Sequence, residues 1–134
     1  TLKKFGKLIG QLVAEEGVNE KMAEFITPIA ILGDQMTKFT TEIGFKGFQN
    51  PDEVGAAAVD YLRVAGHLVF GYLFARMAQV ALRQIAAGNT DPFYVAKIQT
   101  ARFYFAKLFP ETTTLMRTAR TGSKVLMDTD AALA

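Results

Sequence analysis

The 134-residue chain has no cysteine, one histidine and one serine, and these scarcities remove most familiar catalytic chemistry. Without cysteine there is no disulfide scaffold, thiolate metal site or thiol nucleophile. The absence fits a reducing compartment, so a cytoplasmic location is expected. His67 has no second histidine and no carboxylate at helical ligand spacing, which leaves metal ligation without a ligand set. It reads instead as a helix-surface or interface histidine. Ser123 has no histidine placed to activate it. There is no GxGxxG, hence no glycine-rich phosphate cradle. The carboxylates Glu15/Glu16, Asp52/Glu53 and Asp128/Asp130 fall at helix ends or in the tail. Such pairs read as capping and dipole residues, not as an acid/base couple in an apolar pocket.

Concentrated charge and long apolar runs are scarce too. Net charge is +2, and the Lys and Arg residues are scattered, without the basic, aromatic-studded face of a nucleic-acid binder. The small cluster Arg117, Arg120 and Lys124 suits a helix C-terminus. In the most apolar window, Tyr61–Leu82, the longest uncharged run is Leu68–Ala75, short of the ~20 residues a membrane span requires. LKKFGKLIGQLVAEE does not have the layout of a signal peptide. A soluble chain is expected, and its first residue, Thr1, suggests a piece of a longer protein.

What remains is helical pattern. Leu2, Phe5, Leu8, Ile9, Leu12 and Val13 recur at helical spacing, with Gly17 predicted to stop that helix in a left-handed conformation. Asn19 can cap a second helix, with Glu20 and Glu24 near its positive end. Its stripe is Met22, Phe25, Ile26, Ile29, Leu32, Met36, Phe39 and Ile43. The stripe keeps phase across Pro28, which favours a kink over a new start capped by Thr27. Gly44–Asn50 reads as a loop. Asn50-Pro51-Asp52-Glu53 then starts a long helix, with Asn50 as N-cap and Glu53 closing a capping box. That helix runs to Gly88-Asn89, on the order of 55 Å. Asp91-Pro92 starts the last helix, striped by Tyr94, Ile98, Ala101, Phe105, Leu108, Thr112, Leu115 and Ala119, bent at Pro110 and stopped by Gly122. A short turn and a tail follow. The expected fold is all-α: one domain over residues 1–134, an up-down four-helix bundle of long antiparallel helices.

The long helix is the odd one, because its polar face changes sides. Arg63, His67 and Phe74 project near Asp60, whereas Arg76, Gln79 and Arg83 project roughly opposite. Phe70, Gly71 and Phe74 occupy the direction water should see, and Phe103 projects opposite the stripe of its own helix. An adjacent helix could cover them, or they could meet another domain or subunit. Phe70, Gly71, Phe74 and Phe103 are therefore the candidate interface residues. Gly66, Gly71, Ala65 and Ala75 would let a neighbouring backbone approach closely.

Two stretches carry a family resemblance. The first, NPDEVGAAAVDYLRVAGHLVFGYLFARMA, fits the pattern AxxYLxxxGxxxxGYxxxRMA. The second holds Lys97, Thr100, Ala101, Arg102, Phe103, Tyr104, Phe105, Ala106, Pro110 and Glu111. Together they resemble the extra C-terminal domain of bacterial acyl-CoA dehydrogenases, within the group similar to the 3-methylthiopropanoyl-CoA dehydrogenases. The match is specific over Asn50–Met127. The resemblance implies a non-catalytic domain that packs on an upstream dehydrogenase core and shapes a homodimer. It also implies a parent enzyme that uses FAD and a catalytic Glu to desaturate acyl-CoA thioesters, passing electrons to an electron-transfer flavoprotein. No catalytic, cofactor-binding or metal-binding residue carries over to this chain. A different reading is an autonomous bundle that holds an apolar or acyl ligand among Phe70, Tyr72, Phe74, Phe93, Phe103, Phe105 and Phe109. A homodimerisation module is another.

Overall fold

A computed structural model describes residues 2–128, and all regular structure among them is helical. The helices are α1 (Leu2–Glu16), α2 (Ala23–Gln49), α3 (Asp52–Ala86), α4 (Pro92–Phe103), α5 (Glu111–Ala119) and α6 (Lys124–Met127). A π-helical segment, Tyr104–Leu108, joins α4 to α5. The expected tail beyond Asp128, with Asp130, lies outside the described residues.

α3 is the hub. It packs against α2, α4 and α5, while α1 packs on α2 and sends side chains to α3. Thr40 meets Tyr61 and Ile29 meets Gly71, so α2 and α3 run antiparallel. His67 meets Tyr104 and Glu53 meets Ser123, so the fourth stretch runs antiparallel to α3 as well. Leu12, Met22, Phe25, Ile29, Met36, Phe39 and Val64 are fully buried at the centre. From Met22 to Phe39 the second stripe is buried as its periodicity requires and Ile43 is partly buried, with Pro28 inside one continuous helix. By length and composition α3 could cross a membrane, yet here it is the helix the others pack around.

Several local expectations are corrected. Gly17 is not left-handed; only Gly88 and Gly122 have positive φ among the described glycines. At Gly88 the φ of +90° serves a Schellman ending, in which Asn89 N–H donates to Gln84 O and Gly88 N–H to Ile85 O, both at 3.0 Å. Asn19 caps a turn, not a helix, since its side chain accepts from Lys21 N–H and α2 begins four residues later. Gly44–Gln49 is helix, not loop. The α2–α3 reversal needs only Asn50 and Pro51, and Val54 occupies the space a Cβ on Gly47 would need. Glu53 forms no capping box: its carboxylate accepts from the Ser123 hydroxyl at 2.6 Å and fastens the start of α6. Asp91 caps α4 as expected, accepting from Phe93 N–H at 3.0 Å.

The last helix is broken, not merely bent. A proline ring clashes with the carbonyl four residues back, and the chain widens ahead of Pro110. Phe109 N–H reaches the Tyr104 carbonyl, five residues back, at 2.9 Å. The widening shifts the stripe by one position, so Phe109 is buried and Leu108 is exposed.

Candidate functional site

Two arrangements on α3 stand out, one apolar and one polar. More than half of the buried face of α3 is small residues, Ala57, Gly71, Ala75, Ala78 and Ala81, with Val64, Leu68, Tyr72 and Gln79 beside them. That choice lets the neighbouring helices come close, while six large apolar side chains point outward. Val59, Leu62, Val69, Phe70, Leu73 and Val80 all face solvent; Leu62 is 72% exposed, Phe70 56% and Leu73 54%. At about 100° per residue they fall on one side of the helix, with steps of three and seven residues. Gly66 lies in its middle with open space above it.

The sequence-predicted interface residues divide between surface and interior. Phe70 and Phe103 are exposed. Gly71 is buried, its Cα against Ile29, Phe105 and Phe109, and so does not belong to an outer face. Phe74 is half-buried and stacked on Tyr104 at 4.5 Å between ring centroids. Helical angle counted from Asp60 placed the uncovered side about a quarter-turn too far towards His67. The signal that locates it is the separation of large from small apolar residues along α3.

The polar arrangement centres on His67. Its Nδ1 lies 2.9 Å from the Tyr104 hydroxyl and its Nε2 lies 2.7 Å from Glu111 Oε2. Arg63 donates to the other carboxylate oxygen. The His67 bond above all holds Glu111 below the ordinary carboxylate range; burial opposes it, and the weaker Arg63 charge and bond add to the lowering. Burial, then the Glu111 charge, push the Tyr104 phenol upward, so it remains a donor. Sequence reasoning left Tyr104 and Glu111 unassigned, because only the fold brings them to a helix 37 and 44 residues away.

A second polar network fastens α1. Glu15 and Glu16 sit at the C-terminal end of α1, where the helix dipole disfavours them, so capping does not explain them. The buried Gln79 amide donates to Glu15 at 3.0 Å and to Glu16 at 2.7 Å, and its oxygen accepts from Arg76 at 2.7 Å. Arg76 also donates to Glu15 and to Tyr72, and Arg83 to Glu16. Every polar atom of Gln79 is satisfied, as burial demands. In the basic cluster, Arg120 pairs with Glu42 and lies over the Phe39 ring, and Lys124 pairs with Asp128. Among the described residues no group of three or more His, Asp or Glu is placed to hold a metal.

A recess of about 520 Å³ lies between the end of α2 and the first half of α3. Its lining is apolar except for Thr40 and Tyr61, whose hydroxyls bond to each other at 2.6 Å. Two hydroxyls and no cation do not suit the pyrophosphate of a flavin dinucleotide.

These features define an all-helical domain with an uncovered apolar face and polar groups that satisfy one another. Residues 5–130 match the family described as acetyl-CoA dehydrogenase C-terminal like, and the chain belongs to that family. It is thus a C-terminal domain of the acyl-CoA dehydrogenase type, a family that implies FAD in the parent enzyme and a catalytic core as the neighbouring domain. A search of curated proteins finds no match.

Proposed function

We propose that this domain is a non-catalytic accessory of an FAD-dependent acyl-CoA dehydrogenase and docks on the catalytic core through the outer face of α3. The carrying observation is the stripe Val59, Leu62, Val69, Phe70, Leu73 and Val80, left in water by a helix covered on its other sides. Apolar patches of this continuity mark contacts. Gly66 adds to the reading: a glycine costs a helix about 1 kcal/mol relative to alanine, and among the described residues nothing lies within 4 Å of where its Cβ would be.

Area favours a tethered partner over a second copy. The stripe spans about 32 Å by roughly 10 Å, near 300 Å². A stable interface between free proteins buries about 800 Å² per partner. A core linked in the same polypeptide supplies a high effective concentration and needs less. In this reading the parent belongs to the 3-methylthiopropanoyl-CoA-like group, acts in the cytoplasm, forms a homodimer and passes electrons to an electron-transfer flavoprotein. The chain is one domain, an up-down four-helix bundle with α4, the π segment and α5 as its bent fourth rod. Flavin and the catalytic Glu belong to the core.

The test uses the core with this domain tethered to it, and limited proteolysis of the segment between them as the readout. Leu62→Glu or Leu73→Glu should speed that cleavage at least about tenfold, each exchange removing a large apolar contact that holds the two together. Unchanged cleavage in both variants refutes the docking face. The protein by itself should show no flavin absorbance and no acyl-CoA oxidation. The second reading, an apolar-ligand bundle, draws on the Thr40–Tyr61 recess. It requires a melting shift with saturating acyl-CoA.

A further inference from the structure

The recess between the end of α2 and the first half of α3 is continuous with the outer apolar face, because Leu62 belongs to both. Ala58 and Val54 follow it back along α3 at helical spacing, line the recess and are exposed. Gly44 faces them from α2. A Cβ added there would meet nothing within 4 Å among the described residues. Glycine weakens a helix interior; here its missing side chain leaves the concavity open.

The side-chain polar atoms of the recess are the hydroxyls of Thr40 and Tyr61. Thr40 donates to the Met36 carbonyl at 2.7 Å, so Tyr61 is the donor in the 2.6 Å bond between the two hydroxyls. Both protons are thus used within the chain. No donor and no cation remains in the lining to meet the carbonyl of an acyl thioester or an anionic head group. Small-molecule sites fix their ligands with such groups. What suits this lining is an apolar side chain, which brings no polar atom to satisfy.

We infer that the recess is the anchor pocket of the docking face, filled in the parent enzyme by one bulky apolar side chain, Phe, Leu or Met, of the catalytic core. The inference rests on the docking reading and adds the place and chemistry of its strongest contact. The family supplies the core as the neighbouring domain. The stripe alone falls well short of the area that a stable interface buries. Binding energy concentrates where a large side chain enters a pocket and excludes water, and this recess is the pocket the stripe runs into.

The core with this domain tethered to it, and limited proteolysis of the segment between them, test the anchor. Gly44→Leu and Ala58→Leu fill the recess from its opposite walls. A helical side chain leans toward the N-terminus, which carries the new leucine over Thr40 in the first and over Val54 in the second. Each should speed cleavage at least about tenfold, the loss of one anchoring contact, while the urea midpoint of this protein by itself stays level or rises. Leu73 lies on the stripe but outside the recess, so Leu73→Glu reports the face alone. Faster cleavage in Leu73→Glu with unchanged cleavage in both leucine variants overturns the anchor and leaves the face standing. Unchanged cleavage in all three removes the docking reading and the anchor with it. A melting shift with acyl-CoA that Gly44→Leu abolishes also overturns the anchor, since the recess would then hold a ligand.

Discussion

Gly66 and Gly71 lie five positions apart in α3 and answer opposite needs. A Cβ on Gly71 would lie 2.7 Å from Ile29 Cγ2 and 3.1 Å from Phe109 Cε2, so Gly71→Ala forces the core apart. That should cost about 1–3 kcal/mol, more than the helix propensity it restores. Gly66 has nothing within 4 Å, so Gly66→Ala should stabilise the isolated protein by up to about 1 kcal/mol. Urea denaturation of the two variants reads both signs, and a destabilised Gly66→Ala would show that the chain itself uses that space. Gln79 supplies a third test at this scale. Gln79→Leu removes two donors from Glu15 and Glu16 and one acceptor from Arg76, and should cost about 1–3 kcal/mol in the same assay.

At the scale of elements, the π segment decides which side chains enter the core. A regular helix with the stripe Phe105, Leu108, Thr112 would bury Leu108; the widened turn buries Phe109 in its place. Phe109→Ala should therefore cost about 3–5 kcal/mol, whereas Leu108→Ala should stay within about 0.5 kcal/mol. A reversed order in thermal or urea denaturation would mean that the helix runs through without the extra residue. The boundaries that were legible in the sequence rest on local chemistry: Asp91-Pro92 at the start of α4, Gly88 after α3, and the unbroken stripe across Pro28. What was not legible depends on partners distant in the chain. Gly44 and Gly47 have the look of a loop, yet Val54 packing at Gly47 keeps the turn helical. Glu53 has the spacing of a capping box, yet Ser123, 70 residues away, takes its carboxylate. His67 was visible as a residue to account for, while its partners Tyr104 and Glu111 depend on the register the π segment sets.

At the scale of the molecule, the carboxylates that join the helices set the acid limit of stability. Glu16, held by Gln79 and then by Asn19 and Arg83, Glu15, held by Gln79 and then Arg76, Glu53, held by Ser123, and Glu111, held by His67 and then Arg63, all lie below their ordinary value of 4.5. Each depressed group contributes stability that is fully present above 4.5 and is lost as pH falls through its lower folded-state value. These bonds tie α1 to α3, α6 to α3 and α5 to α3, so protonation loosens three contacts together. A profile of melting temperature against pH should accordingly fall steeply below about pH 4.5. Glu16→Gln should make the acid limb shallower. A profile that is level from pH 7 down to pH 3 would remove these carboxylates from the account of what holds α1, α5 and α6 on α3.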